Sequence, residues 1–221
     1  MSNKAIIFDF DGTIADTFTS LVDIVNHLAS EFDYPPLNQT EVLRLTNLSS
    51  REIIKESPVG LHKVPFFLRK IKKELNKKIA DLQPFPQIKE TLQELKHEGY
   101  ILGIITSNLE SNVVDFLLNN DLNIYFDFLY STNTLFGKHR TINKVMKKHK
   151  LLPENTIYVG DETRDIESAK KSNIKVVAVS WGFNSSHVLE NYSPDFMIHS
   201  PQELKTILCS QKTAVVTVNS H

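Results

Sequence analysis

Ile6-Ile7-Phe8-Asp9-Phe10-Asp11-Gly12-Thr13 is an apolar, β-rich run that closes on two aspartates and a glycine. Side chains two apart on a strand share a face, so a strand running through Phe10 presents Asp9 and Asp11 together at its carboxyl end. In open α/β sheets ligands sit at that end. Two carboxylates so close are not both comfortable as bare anions. Either one takes up a proton or a cation bridges them, and both outcomes are chemistry. Calcium loops also space aspartates by two, but they need further oxygen ligands and a closing glutamate. Residues 14–20 offer only Asp16 and a few hydroxyls.

Working outward from this run, four more β-rich stretches follow: Ile101–Thr106, Phe126–Ser131, Thr156–Gly160 and Val176–Trp181. Several are nearly continuous in apolar residues, as strands buried on both faces of a parallel sheet are. Helical patterns separate them. Pro86–Glu98 places Ile88, Leu92 and Leu95 on one face and has Gly99 where a C-terminal glycine cap belongs. Asn112–Asn119 and Thr141–His149 are shorter cases, and Asp161–Lys171 opens with acids and ends with lysines, as the helix dipole favours. A short strand, Asp195–Ile198, and a helix over Pro201–Cys209 complete the expectation, with residues 211–221 a polar tail or an edge strand. The alternation predicts an α/β fold with a doubly wound, parallel, Rossmann-like sheet.

Residues 16–83 break this rhythm. Phe18, Leu21, Val25, Leu28 and Phe32 follow the spacing of an amphipathic helix. Ser49-x-x-Glu52 has the form of a capping box, and Phe66, Phe67, Leu68, Ile71, Leu75 and Ile79 suggest a third helix. Pro84 and Pro86 return the chain to the sheet pattern. The expected organisation is therefore a core of residues 1–15 and 84–210 with a helical insertion, 16–83, placed directly after the two aspartates.

The 221 residues carry 41% hydrophobic and 23% charged side chains and a net charge of −1. Such a balance gives no strong pull toward nucleic acid or a membrane surface. Lysines cluster at Lys70–Lys78 and Lys144–Lys150, where a solvated helix face is the plain reading. The single cysteine, Cys209, excludes an internal disulfide and a Cys-based metal framework. No histidine pair has zinc-type spacing and no P-loop or Gly-x-Gly-x-x-Gly occurs. No signal peptide or membrane-length apolar run is visible, and a cytoplasmic location is expected.

Asp9-Phe10-Asp11-Gly12-Thr13 resembles the first motif of the haloacid dehalogenase-like hydrolase superfamily. Three further motifs in the family's order support the resemblance. Ile104-Ile105-Thr106-Ser107-Asn108 ends a strand with hydroxyls, and Ser107, with Thr106 as its rival, is implied to bind the phosphoryl group. Alone, a Ser-Asn after a strand reads as a helix N-cap. Gly137-Lys138 precedes a helix and implies that Lys138 neutralises phosphate and nucleophile, although His139-Arg140-Thr141 stands where the family often has a proline-containing segment. Gly160-Asp161-Glu162-Thr163-Arg164-Asp165 resembles the metal-binding motif. It implies Asp161 as a direct ligand, Asp165 as a water-mediated ligand or partner of Lys138, and Glu162 in an outer role. One such motif reads equally as an acidic helix start, but four in order do not arise plausibly by chance.

The resemblance implies a phosphatase working through an aspartyl phosphate on Asp9. Mg²⁺ is implied on Asp9, the backbone carbonyl of Asp11, Asp161 and Asp165. Asp11 is implied to be the acid and base, with Gly12, Thr13 and Asn108 lining the phosphoryl site. An acid at the second position distinguishes a phosphatase from a dehalogenase. A phosphomutase of the same superfamily shares these core residues, and a non-catalytic binding protein on the same fold is the alternative from another class. A phosphorylated receiver module would be about half this length and lack the insertion. The layout is similar to small-cap phosphatases of the phosphoglycolate phosphatase type, which points to a small phosphorylated metabolite and a monomer or weak dimer, with neither nucleic acid nor membrane as partner. Within the insertion Arg51 is the candidate contact for a second anionic group, ahead of Lys55 and Arg69.

Overall fold

The computed structural model describes residues 4–132 and 136–208; Cys209 and the tail over 211–221 lie outside the described residues. β1 (Ala5–Phe8), β2 (Ile101–Thr106), β3 (Phe128–Ser131), β4 (Thr156–Gly160), β5 (Lys175–Val179) and β6 (Phe196–Ile198) form one sheet in the order β3-β2-β1-β4-β5-β6. Every neighbouring pair is parallel. The expected α/β, doubly wound architecture is therefore present. The strand order reverses between β1 and β4, so the crevice beyond their carboxyl ends is the ligand position that such sheets share.

β1 stops at Phe8, earlier than the apolar run suggests. Asp9 still donates its N–H to the Val159 carbonyl at 2.8 Å, but the Phe10 carbonyl then accepts the N–H groups of Thr13, Ile14 and Ala15. The chain turns there. Asp11 is thus carried on a turn, and not beside Asp9 on the pleat of one strand. Gly12 makes the turn possible with φ +75°, and a Cβ at this position would sit 2.2 Å from an Asp161 carboxylate oxygen.

Between β1 and β2 the chain forms α1 (Phe18–Leu28), α2 (Gln39–Thr46), α3 (Ser50–Glu56) and α4 (Val64–Lys78), and no strand of the sheet. α3 has the capping box read from Ser49 and Glu52. α2 escapes the hydrophobic pattern because none of its residues is buried. Its signal is at the cap, where Asn38 accepts from the Glu41 N–H at 2.9 Å. α1 ends at Leu28, and Phe32 reaches the same apolar cluster from the turn beyond it. The two crossings between the sheet and these helices run side by side: Asp16 donates to the Gln83 carbonyl and Phe85 to the Ile14 carbonyl, both at 3.0 Å.

α5 (Ile88–His97) and α6 (Glu110–Asn119) cover one sheet face. Ile6, Phe8, Ile104, Val159 and Val177 meet Leu92, Leu95 and Phe116 there. α7 (Lys138–His149), α8 (Thr163–Lys171) and α9 (Ser186–Asn191) cover the other, over Ile7, Ile105, Tyr158 and Val176. Burial on both faces explains the unbroken apolar runs. α5 ends as its glycine foretells: Gly99, at φ +83°, donates to the Lys96 carbonyl and Tyr100 to that of Leu95, the paired bonds of a Schellman cap. A helical segment at 203–208 returns to the first face through Leu204 and Leu208.

Gly103 lies beneath the Phe128 ring, where a Cβ would meet ring carbons at 1.9 Å. Gly103→Ala is expected to lower stability by about 1–3 kcal/mol through overpacking, read from urea unfolding midpoints. An unchanged midpoint would show that Phe128 moves aside freely.

Candidate active site

Lys138 is the hub of the crevice. Gly137, at φ +113°, turns the chain into α7, so that Lys138 is its first residue and only 2% exposed. Its Nζ lies 2.8 Å from Asp9 Oδ2 and 2.5 Å from Asp165 Oδ1. Burial alone would depress the ammonium, but Asp165 and Asp9 outweigh it and hold its pKa above the usual value. Asp165 also accepts the Glu162 N–H at 3.2 Å, closing a capping box at the start of α8. Its partnership with Lys138 is one of the two roles that its motif allowed.

Asp161 follows β4 and is fully buried. Thr13 Oγ1 donates to its Oδ1 at 2.7 Å, and the Phe183 N–H to its Oδ2 at 2.8 Å. No cation reaches it among the described ion pairs. Burial, then the charges of Glu162, Asp165 and Asp9, push its carboxyl well above the ordinary range. Asp9, Asp161 and Asp165 each turn a carboxylate oxygen to within 4.8 Å of the others. Three buried hard-oxygen donors, only two of them paired with an ammonium, suit a small divalent cation such as Mg²⁺.

Asp11 is set apart from that trio. Asn108 Nδ2 donates to both of its oxygens at 3.0 Å. Burial, and next the negative charge of Asp9, raise its pKa to about 7. A carboxyl near neutrality can hand over and recover a proton. Asn108 is held in turn: its N–H donates to Thr106 Oγ1 at 2.9 Å, and its Oδ1 accepts from Asn112 Nδ2 at 2.9 Å. Asn76 Nδ2, on α4, donates to Asn112 Oδ1 at 2.6 Å. A continuous amide chain thus links Asp11 to the inserted helices.

Thr106 and Ser107, the two rivals of the sequence reading, differ in direction. Thr106 is wholly buried and occupied with Asn108, whereas Ser107 lines the cavity that contains Asp11 and Asn108. Arg51 is not brought to that cavity. Its Nη2 pairs with Glu167 on α8 at 3.0 Å and its guanidinium covers Phe136, since α3 points that face toward α8. Lys55 and Arg69 are exposed, Arg69 lying over Phe66. The sequence reading missed Lys72, Asn112 and Arg164. Lys72 was grouped with a solvated run, and Lys70, Lys77 and Lys78 do pair at the surface with Glu31, Glu74 and Asp23. Lys72 instead shares the stripe of Leu68, Ile71 and Leu75 and lines the cavity; a lysine inside an apolar 3–4 spacing was the available signal. Arg164 Nη2 pairs with Glu162 Oε1 at 2.5 Å, and its Nε and Nη1 are buried without a hydrogen-bond partner among the described residues.

Residues 6–179 match the family model described as haloacid dehalogenase-like hydrolase. The chain belongs to this hydrolase family. Within the family its similarity runs to phosphatases. It is 32% identical over 201 residues to the phosphoglycolate phosphatase of Synechococcus elongatus, covering 91% of this chain and 95% of that one. It is 27% identical to the pyrophosphatase PpaX of Oceanobacillus iheyensis, with 94% and 98% covered. A haloacid dehalogenase-like hydrolase structure from Streptococcus pneumoniae superposes with a TM-score of 0.78 at 26% identity, over 93% of this chain and 98% of that one. No described helix is long and apolar enough to cross a membrane.

Removing one partner from a buried ion cluster strands the others. Lys138→Met is expected to destabilise the protein by about 3–5 kcal/mol. Adding Asp165→Asn should recover part of the loss, because one stranded carboxylate is then gone. Chemical unfolding of the single and double variants measures both effects. Equal stability of wild type and Lys138→Met would refute the hub.

Proposed function

We propose that this chain is a Mg²⁺-dependent phosphatase that hydrolyses a small phosphomonoester through an aspartyl phosphate on Asp9. The observation that carries this reading is the division of labour between the two motif carboxylates. Asp9 lies with Asp161, Asp165 and Lys138, while Asp11 stands apart with a pKa near 7 and a hydrogen bond to Asn108. Residues 1–15 and 84–210 would form the core, and 16–83 the cap that closes over these groups.

Asp9, Asp161 and the Asp11 backbone carbonyl would hold Mg²⁺, with Asp165 in an outer position because Lys138 already occupies one of its oxygens. When bound, the cation neutralises charge between the anionic substrate and the carboxylates. Asp9 attacks phosphorus with a carboxylate oxygen, and the bond from phosphorus to the ester oxygen breaks. Asp11, protonated at the start, gives its proton to the departing alkoxide. The now anionic Asp11 takes a proton from water, whose oxygen attacks the same phosphorus. Phosphate leaves and Asp9 is restored. Lys138 Nζ stabilises charge building on the transferring group. The Ser107 hydroxyl and the N–H groups of Gly12 and Thr13 would serve the phosphoryl oxygens. Asn108 fixes the orientation of Asp11 through two contacts at 3.0 Å.

Asp9→Asn should reduce phosphate release by on the order of a thousandfold or more, with circular dichroism and the unfolding midpoint showing an intact fold. EDTA should abolish wild-type turnover and Mg²⁺ restore it. Full activity in Asp9→Asn, or in EDTA, would overturn the proposal.

A further inference from the structure

The cavity that contains Asp11, Ser107 and Asn108 has a volume of about 330 Å³, is partly open to solvent and is lined mainly by the inserted helices. That places it in the size range of small-molecule sites and far above the space of a single water. Its wall is apolar. Leu21 and Val25 of α1, Ile53 of α3 and Ile71 of α4 line it, and each keeps part of its surface uncovered although it lies on the inward stripe of its helix. Apolar surface left facing a gap marks a place where something apolar binds.

Two cations line the cavity, Arg164 and Lys72. Arg164 Nη2 and the Ser50 hydroxyl are both taken up by Glu162, at 2.5 and 2.8 Å, and the other two Arg164 nitrogens, Nε and Nη1, are buried away from the cavity surface. Lys72 pairs with no carboxylate among the described residues and lines the cavity together with Asp11, so it is free to serve the phosphoryl group's charge. None of the three arginines in 16–83 lines the cavity. Arg44 is engaged by Glu41 and Glu56, Arg51 by Glu167, and Arg69 lies over Phe66. A leaving group with its own carboxylate or phosphate would meet hydrocarbon where it needs donors, and burying an unpaired charge is strongly unfavourable.

We infer that the leaving group is an alcohol with a compact alkyl or aryl body, seated among Leu21, Val25, Ile53 and Ile71, and not a second anionic group of the phosphoglycolate or pyrophosphate kind. This rests on the phosphatase reading above and narrows it to a substrate class. The relatives' names point to small, highly charged substrates, whereas the wall of this cavity does not suit them.

A series of n-alkyl monophosphates from ethyl to hexyl tests it, because the alcohols barely differ in acidity and kcat/KM then reports binding of the chain. With Mg²⁺ present, kcat/KM should rise by about two- to fourfold per methylene, the range that burial of a CH₂ permits. It should also exceed the values for 2-phosphoglycolate and pyrophosphate. Ile53→Gln and Ile71→Gln, checked for unchanged unfolding midpoints, should reduce the hexyl-to-ethyl ratio by about tenfold. A flat or falling series, or a preference for 2-phosphoglycolate or pyrophosphate, would overturn the inference and leave the phosphatase standing. No turnover of any ester by folded, Mg²⁺-supplied protein would overturn both.

Discussion

Lys138 Nζ is shared between Asp9 and Asp165 inside a site where all three side chains are almost wholly buried. The rest of the crevice is arranged around that constraint. A lone ammonium or carboxylate at this depth would shed its charge, so the three must arrive together, each from a different element. Asp9 leaves β1, Asp165 lies in the first turn of α8, and Lys138 opens α7. Parallel strands deliver these segments to one edge of the sheet, and the reversal of strand order between β1 and β4 opens the space between them. The small residues complete the fit. At Gly12, and again at Gly182, a methyl group would collide with Asp161 at 2.2–2.3 Å.

The inserted helices are tied to this centre by polar contacts as well as by apolar packing. Asn184 Nδ2 donates to the Leu48 carbonyl at 2.9 Å and Ser185 N–H to the Thr46 carbonyl at 2.9 Å, which fastens the turn between α2 and α3 to the loop after β5. On the opposite side, Asn76 reaches Asp11 through Asn112 and Asn108. Amide side chains each have a donor and an acceptor end, so the chain fixes which end faces Asp11. Movement of α4 would therefore be felt at the group proposed to move the proton. The same helix carries Ile71 and Lys72, which both line the cavity.

Much of this was legible in the residues. Unbroken apolar runs fixed the strands because a doubly covered sheet needs no polar face, and Gly99 and the Ser49–Glu52 box marked helix ends by local chemistry alone. α2 and α9 were missed because they are short and their evidence lies in the caps, Asn38 and Ser185, not in periodicity. The end of β1 was placed too late because Phe10 is as apolar as a strand residue, while its carbonyl is committed to a turn. The family resemblance named Asp9, Asp11, Lys138, Asp161 and Asp165 and set Lys138 beside Asp9, but it left two roles open for Asp165, of which the structure shows the contact with Lys138. Arg51 illustrates the limit for exposed side chains: its residue type suits an anion, yet its direction depends on Glu167, 116 positions away.

The account turns on whether the buried carboxylates, left with one ammonium among them, form a divalent cation site. Thermal unfolding with and without Mg²⁺, in wild type and in Asp161→Asn, tests that without relying on turnover. Wild type should gain stability with Mg²⁺, by up to about 2.7 kcal/mol at a hundredfold excess over Kd. Asp161→Asn, relieved of a buried charge that lacks a cation, should be at least as stable without Mg²⁺ and show little further gain with it. A wild-type protein indifferent to Mg²⁺, or an Asp161→Asn variant that keeps the full gain, would contradict the account.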